Sequence, residues 1–265
     1  MPELPDVETF RRYFDSTALW QEIASVDILA RDMLRATTGA QLKRALEGDR
    51  FSSTRRHGKY LFACLENGPW LVLHFGMTGF LKYIKNSGEE TRHARLRIVF
   101  TNTHKLLFDC QRKLGNIGLA GNVEDFVSEK GLGPDPLSPD FDLDTFKAAL
   151  EGRTRMIKPA LMDQKKIAGI GNIYSDEILF QAGIHPKAKL DRLGKKDIEN
   201  IYRTMTQKVL PQAVEVQADP ERLPGDFLIP HRRGDGRCPK GCSGELTKVK
   251  VSGRTSYVCP SCQPS

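Results

Sequence analysis

The sequence predicts an α+β protein in which a strand-rich N-terminal part is followed by a helical part and a short β-rich module. Short runs rich in β-branched and aromatic residues, separated by Gly, Asn or Pro, dominate residues 1–130. Apolar residues recur at helical spacing through residues 142–230. Residues 231–265 combine a second β-rich pattern with four of the six cysteines. The turn-rich stretch 131–141 is therefore the predicted linker between the first two parts.

The N-terminal part is predicted to open with one helix over residues 7–20. Val7, Phe10 and Phe14 recur there at helical spacing. Tyr13 lies beside this apolar stripe. The predicted strands that follow are residues 59–65, 70–75, 80–84, 96–100 and 105–110. Short strands at this spacing are typical of an antiparallel sandwich or barrel.

Three helices are predicted in the helical part, over residues 142–150, 172–182 and 197–216. The positions predicted to be buried on the first and third are Leu143, Phe146, Leu150, Ile198, Ile201, Met205 and Val209. Asn172 is the predicted N-cap of the second helix, and Gly183 ends it. In the last module, residues 246–251 and 255–258 flank Gly253 and predict a β-hairpin.

The charge balance favours an anionic partner. The chain has 40 Lys and Arg against 33 Asp and Glu, a net charge of +7. Residues 231–265 carry seven basic and two acidic side chains beside the cysteines, which favours nucleic acid. An acidic N-terminus without a long apolar run predicts a cytoplasmic (nucleoid-associated) protein with no signal peptide and no membrane contact. Disulfides are not expected there, so Cys64 and Cys110 are predicted to be buried thiols.

The remaining four cysteines have the spacing of a zinc site. Three residues separate Cys238 from Cys242, two separate Cys259 from Cys262, and sixteen lie between the pairs. Four thiolates close a tetrahedral zinc site to substrate, so the predicted cofactor is one structural zinc ion. Iron could occupy the same thiolates. The alternative of two redox pairs lacks the βαβ context in which such motifs occur.

The first three residues place a potential nucleophile at the start of the chain. Removal of Met1 would leave Pro2 as a secondary amine that can condense with an aldehydic carbon to give an iminium ion. An α-amino group titrates near pH 7.7–8.0, roughly, so part of it is neutral in the cytosol. Glu3 could act beside it as a general acid or base. An inert tail is the alternative, and retention of Met1 would make the Pro2 nitrogen an amide.

Three stretches resemble the formamidopyrimidine-DNA glycosylase and endonuclease VIII family, whose members remove oxidised bases and use an N-terminal proline as nucleophile. Residues 1–9 resemble the family's N-terminus. Residues 158–186 resemble its helix–two-turn–helix motif, and Asn172 matches a phosphate-binding asparagine. Arg254 stands five residues before the third cysteine, where the family's zinc finger has a phosphate-binding arginine. The usual spacing of the first cysteine pair is one residue shorter than here.

Two further segments and one turn resemble the family's contacts at the lesion. Lys59 lies in a basic turn that begins at residue 55 and leads into a strand, and that could equally be an exposed charged edge. It takes the place of a catalytic-site lysine that contacts phosphate. His74 and Met77 belong to a DNA-binding segment in which the methionine fills the space left by the flipped nucleotide. Arg112 matches an arginine that faces the estranged base. Leu114 replaces the usual aromatic wedge in a segment one residue longer than normal, which leaves the opposite-base preference open.

The resemblance implies a two-sheet β-sandwich catalytic domain at residues 1–130, a helix–two-turn–helix DNA-binding domain at 142–230 and a zinc finger at 231–265. The implied enzyme is a monomeric bifunctional DNA glycosylase and abasic-site lyase acting on double-stranded DNA with oxidised bases or abasic sites, without an organic cofactor. Pro2 would attack C1′, Glu3 would move protons, and β,δ-elimination would nick the strand. Asp6, where the family usually has Glu, is a candidate for the base pocket or a proton relay.

Two features of the sequence bear on the choice of substrate, and they point in opposite directions. The opening Pro-Glu-Leu-Pro resembles the purine-directed branch of the family. Residues 217–237 are short for the loop that covers oxidised guanine in that branch, so ring-opened purines and oxidised pyrimidines are expected to be better substrates than oxidised guanine.

Two other classes of protein stay open. A non-catalytic protein could bind damaged DNA on the same scaffold, and a zinc-ribbon protein could bind RNA or another protein. Pro2 and Glu3 favour an enzyme over a pure binder, and the helix–two-turn–helix resemblance disfavours the zinc-ribbon alternative.

Overall fold

The computed structural model describes residues 1–85, 88–151, 156–233 and 236–264. It divides into two compact units, Met1–Gly131 and Leu132–Ser265, called here the N-terminal and the C-terminal unit. Within the described ranges, no helix combines the length and apolar character that crossing a bilayer would require.

The N-terminal unit is a two-sheet sandwich. Its strands are β1 (Ile23–Ile28), β2 (Leu34–Arg35), β3 (Phe51–His57), β4 (Tyr60–Leu65), β5 (Trp70–His74), β6 (Gly79–Ile84), β7 (Ala94–Phe100), β8 (Lys105–Cys110) and β9 (Asn116–Ala120). The four-stranded sheet has the order β1-β7-β8-β6 and the five-stranded sheet β2-β9-β5-β4-β3. Neighbouring strands are antiparallel apart from the short parallel pair β2–β9. The sandwich predicted from the resemblance is confirmed, with two separate sheets rather than a barrel.

Side-chain alternation places the core between the two sheets. Along β7, Leu96, Ile98 and Phe100 are buried while the residues between them are half-buried. Leu61 and Leu71 from the five-stranded sheet belong to the same core cluster. The strands β4 and β5 are apolar on both faces because helix α3 (Val123–Lys130) covers part of the outer face.

Helix α1 (Leu4–Ala18) begins three residues earlier than predicted and ends before Trp20. Pro5 is tolerated in its first turn, and the Asp6 carboxylate accepts a hydrogen bond from the Glu3 backbone N–H at 2.8 Å. The predicted inner stripe is confirmed: Val7 and Phe14 are fully buried, and Phe10 packs partly buried against the core.

Several elements of this unit were not predicted. They are β1, β2, β3, β9, α3 and helix α2 (Gly39–Leu46). Residues 55–57 were assigned to a basic turn, but they form the end of the edge strand β3, and the turn is Gly58-Lys59 alone. This strand was not predicted because most of its residues are polar. Polar residues are tolerated there because one face of an edge strand remains in water. Cys110 is buried as predicted, whereas Cys64 is only half-buried.

The C-terminal unit combines helices with one hairpin. They are α4 (Leu143–Leu150), α5 (Ile157–Leu161), α6 (Asn172–Ala182), α7 (Lys195–Arg203), α8 (Leu210–Glu215), β10 (Thr247–Val251) and β11 (Arg254–Val258). A π-helical segment, Thr204–Val209, joins α7 to α8. This wider turn precedes Pro211, whose ring would clash with a carbonyl in a regular α-helix.

The predicted helices and hairpin of this unit are confirmed, α6 with the predicted ends and the others with shifted ends. Gly171, and not Asn172, is the N-cap of α6, so that prediction was wrong by one residue. Gly183 ends the helix as predicted, in the left-handed conformation with φ +72°. Leu143 and Ile198 are half-buried rather than buried.

Candidate catalytic N-terminus, nucleic-acid interface and metal centre

The predicted nucleophile lies at the start of α1. Met1 is 44% exposed, Pro2 is half-buried, and Glu3 is the buried N-cap residue at 1% exposure. The N-terminus of a helix carries partial positive charge, which favours the Glu3 carboxylate there. Met1 precedes Pro2 in this structure, so the amine required for attack needs the removal of Met1.

Asp6 lies one turn into the same helix. Burial raises the pKa of Asp6 to about 6, although its hydrogen bond from the Glu3 N–H opposes the shift. A carboxyl group with this pKa can exchange a proton near neutral pH.

Replacing Asp6 with Asn should change how stability depends on pH. The folded-state pKa is above the ordinary value of 3.8, so the folded protein binds the extra proton between about pH 4 and pH 6. The free energy of unfolding should therefore fall as the pH rises through this window. Asn does not ionise. The free energy of unfolding of Asp6→Asn should therefore rise relative to that of wild type by about 1–2 kcal/mol between pH 4.5 and 7. Urea unfolding of both proteins across this range measures the difference, and parallel curves would contradict the expectation.

Sequence reasoning missed a buried ion cluster that fixes α1 on β3. The Glu8 carboxylate contacts the Arg56 guanidinium at 3.2 Å and that of Arg11 at 2.8 Å. Although burial opposes it, hydrogen bonds and charge from these arginines hold the pKa of Glu8 below its ordinary value. The sequence signal for this cluster was Glu8 itself, an acidic residue at a buried position of an amphipathic helix.

Lys59 and His74 lie at the ends of neighbouring strands. Lys59 belongs to the two-residue turn between β3 and β4, and Tyr60, which follows it, is the cross-strand partner of His74 on β5. Burial, and then the positive charge of Lys59, lower the pKa of His74 to about 4. His74 Nδ1 accepts a hydrogen bond from the Gly76 N–H at 3.2 Å, so the proton of the neutral ring is on Nε2.

The structure brings together Met77, Arg112 and Leu114 on two adjacent turns that pass between the sheets. Met77 is 39% exposed and Leu114 50% exposed. The Arg112 N–H donates to Thr78 Oγ1 at 3.1 Å. A Cβ at Gly76, where φ is +61°, would lie 2.4 Å from the Leu114 carbonyl carbon, so only glycine allows the turns to approach. Two exposed apolar side chains are thus held next to one arginine.

In the C-terminal unit, a buried lysine holds the Asn172 side chain. Lys158 is 1% exposed, and its Nζ donates to Asn172 Oδ1 at 2.8 Å, Asp176 Oδ1 at 2.6 Å and Ser256 Oγ at 2.6 Å. The other Asp176 oxygen accepts from Arg232 Nη1 at 2.5 Å. No role was predicted for Lys158, and a lysine within the apolar run 156–162 was the signal for it.

Asn172 also contacts the hairpin that carries Arg254. Its Nδ2 donates to the Thr255 carbonyl at 3.2 Å, which places both phosphate-binding candidates of this unit side by side. Arg254 follows a two-residue turn in which Ser252 and Gly253 have φ +46° and +79°. Its side chain is exposed, and no acidic partner contacts it within the described part of the chain.

The four cysteines of the last module converge. Their sulfur atoms all lie within 4.8 Å of one another, and the closest pairs are 3.4–3.6 Å apart. A tetrahedral ion with metal–sulfur bonds of 2.3 Å requires sulfurs about 3.8 Å apart. The extra residue of the first pair is accommodated by Gly241, which has φ +73°. The cluster can hold one metal ion.

The described residues combine a two-sheet sandwich, a helical region and a hairpin beside four clustered cysteines, which is the architecture of one class of DNA repair proteins. Residues 1–117 match the family described as "Formamidopyrimidine-DNA glycosylase N-terminal domain", and residues 132–223 match "Formamidopyrimidine-DNA glycosylase H2TH domain". The chain belongs to the formamidopyrimidine-DNA glycosylase family.

Relatives of this family align along nearly the whole chain. The formamidopyrimidine-DNA glycosylase of Desulfitobacterium hafniense is 35% identical, with 99% of this chain and 100% of that protein covered. That of Trichormus variabilis is 34% identical with the same coverage. The solved structure of Lactococcus lactis Fpg with abasic-site-containing DNA has a TM-score of 0.89 at 30% identity, covering 99% of this chain and 100% of that one. A complex of the same protein with a THF-DNA and an inhibitor also has a TM-score of 0.89.

Proposed function

We propose that this chain is a base-excision DNA repair enzyme, a bifunctional glycosylase and abasic-site lyase acting on oxidised bases in duplex DNA. The observation that carries the proposal is the Pro2-Glu3 pair at the N-terminus of α1, in a chain whose two units both match one glycosylase family. A binding protein needs no secondary amine beside a buried carboxylate.

The proposed reaction uses Pro2 as nucleophile. With Met1 removed, the Pro2 nitrogen attacks C1′ of the damaged nucleoside, the N-glycosidic bond breaks, and the base leaves with a proton. The sugar ring opens as the iminium ion forms, and loss of the acidified 2′ proton expels the 3′ phosphate. A second elimination expels the 5′ phosphate, and water hydrolyses the imine. Glu3 is the proposed proton carrier, and Asp6 supports it or lines the base pocket.

The DNA contacts proposed for the remaining residues follow their charge and exposure. Lys59 and Arg254 supply cations, while Asn172 and neutral His74 supply hydrogen-bond donors for phosphate oxygens. The exposed Met77 and Leu114 fill the stack after the nucleotide leaves it, and Arg112 faces the estranged base.

The packing of residues 226–229 supports the expected substrate class. The Glu177 carboxylate accepts N–H groups of Leu228 at 3.0 Å and Ile229 at 2.7 Å. The Asp226 carbonyl accepts from Gln181 Nε2 at 2.9 Å. This anchor divides the segment 217–237 into residues 217–225 and 230–237, and each part is short for a cover over a flipped base. Ring-opened purines and oxidised pyrimidines are therefore the proposed substrates ahead of oxidised guanine.

Zinc is the proposed occupant of the cysteine cluster, and its loss should unfold the hairpin that carries Arg254. Structural zinc contributes about 10–16 kcal/mol to the folding of small domains. We expect Cys262→Ser to lower the zinc content well below one ion per chain and to weaken DNA binding at least about tenfold. Cys64→Ser, outside the cluster, is the matched control and should keep both. Elemental analysis also separates zinc from iron, and full zinc with wild-type affinity in Cys262→Ser would contradict the proposal.

Cytoplasmic, nucleoid-associated location and a monomeric state remain predictions.

One experiment separates the enzyme from a non-catalytic damage-binding protein. Duplexes containing a single abasic site, ring-opened purine, oxidised pyrimidine or oxidised guanine are incubated with protein whose Pro2 terminus is confirmed by mass spectrometry. Borohydride should trap a covalent adduct on the abasic site, and strands should be nicked at the lesions. Tight binding without trapping or nicking would leave the binding protein as the function.

A further inference from the structure

The outer face of the five-stranded sheet carries a pocket, and of the residues that line it only His74 has a role in the proposed repair reaction. Its volume is about 290 Å³, near the lower end for small-molecule sites. The strands β4, β5 and β9 form one wall, and α3 with its N-terminal turn forms the other. The pocket is deep because Gly118 and Ala120 on β9 are small and leave space beside Val72 and Phe126.

A row of three polar side chains lines one end of this pocket. Tyr60 on β4, His74 on β5 and Asn116 on β9 are direct cross-strand partners, so their side chains stand on the same face in consecutive positions. Among the described residues, no hydrogen-bond partner contacts the Tyr60 hydroxyl, His74 Nε2 or the Asn116 amide. All three residues are half-buried, so these groups can also bind water, and together they give one end of the pocket a hydrogen-bonding edge.

The groups in this row are uncharged at neutral pH. Burial raises the pKa of Tyr60, and the pKa of His74 is lowered to about 4 with its proton on Nε2. The rim carries both charges: Arg35 and Lys130 are basic, and Asp125 and Glu129 are acidic. The pocket therefore has no preference for an anion or a cation. It offers hydrogen bonds along one edge and an apolar wall elsewhere.

We propose that this pocket binds a planar, uncharged heterocycle of nucleobase size. Its hydrogen-bonding edge faces Tyr60, His74 and Asn116, and its ring packs against Val72 and Phe126. Because His74 is also a proposed DNA contact, the ligand and DNA compete for one side chain, so each weakens the binding of the other. This coupling rests on the proposed function, whereas binding of the heterocycle does not.

Ligand-observed NMR and calorimetry on the zinc-loaded full chain without DNA test the binding. The probes are adenine, hypoxanthine and thymine, with indole as a ring that has little hydrogen-bonding edge. We expect nucleobase dissociation constants of about 1 mM or tighter and at least fivefold weaker binding of indole. No binding by any nucleobase would overturn the proposal, and equal binding of indole would overturn the role of the polar row.

Variants place the binding in the pocket. Ala120→Phe fills it and should reduce nucleobase affinity at least tenfold. Asn116→Leu removes one polar group at similar volume and should reduce affinity at least threefold, which keeps a test available if Ala120→Phe fails to fold. Ala148→Phe, at an exposed position of α4, is the matched control and should bind as wild type does. Unchanged affinity in both pocket variants would exclude this site.

Two further measurements separate this proposal from the repair function. Pro2→Gly should bind the nucleobases as wild type does, because Pro2 does not line the pocket. Saturating nucleobase should weaken the binding of abasic DNA by about fivefold, a typical coupling, in wild type and not in Ala120→Phe. DNA affinity unchanged by bound nucleobase would overturn the coupling through His74.

Discussion

Replacing Pro2 with Gly should reduce base excision by about 1,000-fold or more, the scale seen when a covalent nucleophile is lost. Glycine restores neither the secondary amine nor the fixed geometry that holds it beside Glu3 at the start of α1. A single-turnover assay on lesion-containing duplex measures the excision rate, and borohydride trapping measures the covalent adduct.

Two controls show that the effect belongs to the Pro2 amine. Pro5→Ala changes a buried proline of the same helix and should retain most activity, because Pro5 has no free nitrogen in any form of the protein. Protein that keeps Met1 has an amide at Pro2 and should fail to trap, although its residues are otherwise wild type. Equal trapping by Met1-retaining and Met1-free protein would reject Pro2 as the nucleophile.

Replacing Lys158 with Met should strongly destabilise the C-terminal unit. The Lys158 and Asp176 side chains are 1% and 0% exposed and lie 2.6 Å apart. Removal of one partner from a buried ion pair costs about 3–5 kcal/mol, and Arg232, which remains on Asp176, favours the lower end. Urea unfolding of zinc-loaded protein measures the change. DNA affinity should fall as well, because Asn172 loses the donor that fixes its amide.

Two further variants separate burial from charge. Lys208→Met removes a lysine whose pair with Asp226 is 40% and 44% exposed, and should cost less than about 1 kcal/mol. The double variant Lys158→Met with Asp176→Leu removes both buried charges and should be more stable than Lys158→Met alone. If the double variant loses as much free energy of unfolding as Lys158→Met and Asp176→Leu lose together, the buried charge pair is not the cause of the destabilisation.

Strands and helices could be predicted from the sequence wherever a single local pattern dominated a stretch. The run 105–110 forms β8 with the predicted ends, and residues 172–182 form α6 with the predicted ends, because Gly183 adopts a conformation that few other residues tolerate. The edge strand β3 was missed because its polar residues face water on one side and an ion cluster on the other. The ion pair that holds β3 against α1 joins Arg56 to Glu8, which lies 48 residues earlier in the sequence.

By itself, the sequence determined the chemistry that is available: an N-terminal Pro-Glu, four thiolates at metal spacing and a basic C-terminal module. Local rules suffice for these features because residue type and short spacing define them. Only the tertiary structure decided which distant side chains meet. It joined Lys158 to Ser256, packed Gly76 against Leu114, and aligned Tyr60, His74 and Asn116 in one row. Such contacts depend on strand register and helix packing, which the free energy of the whole core selects and which no short stretch of sequence contains.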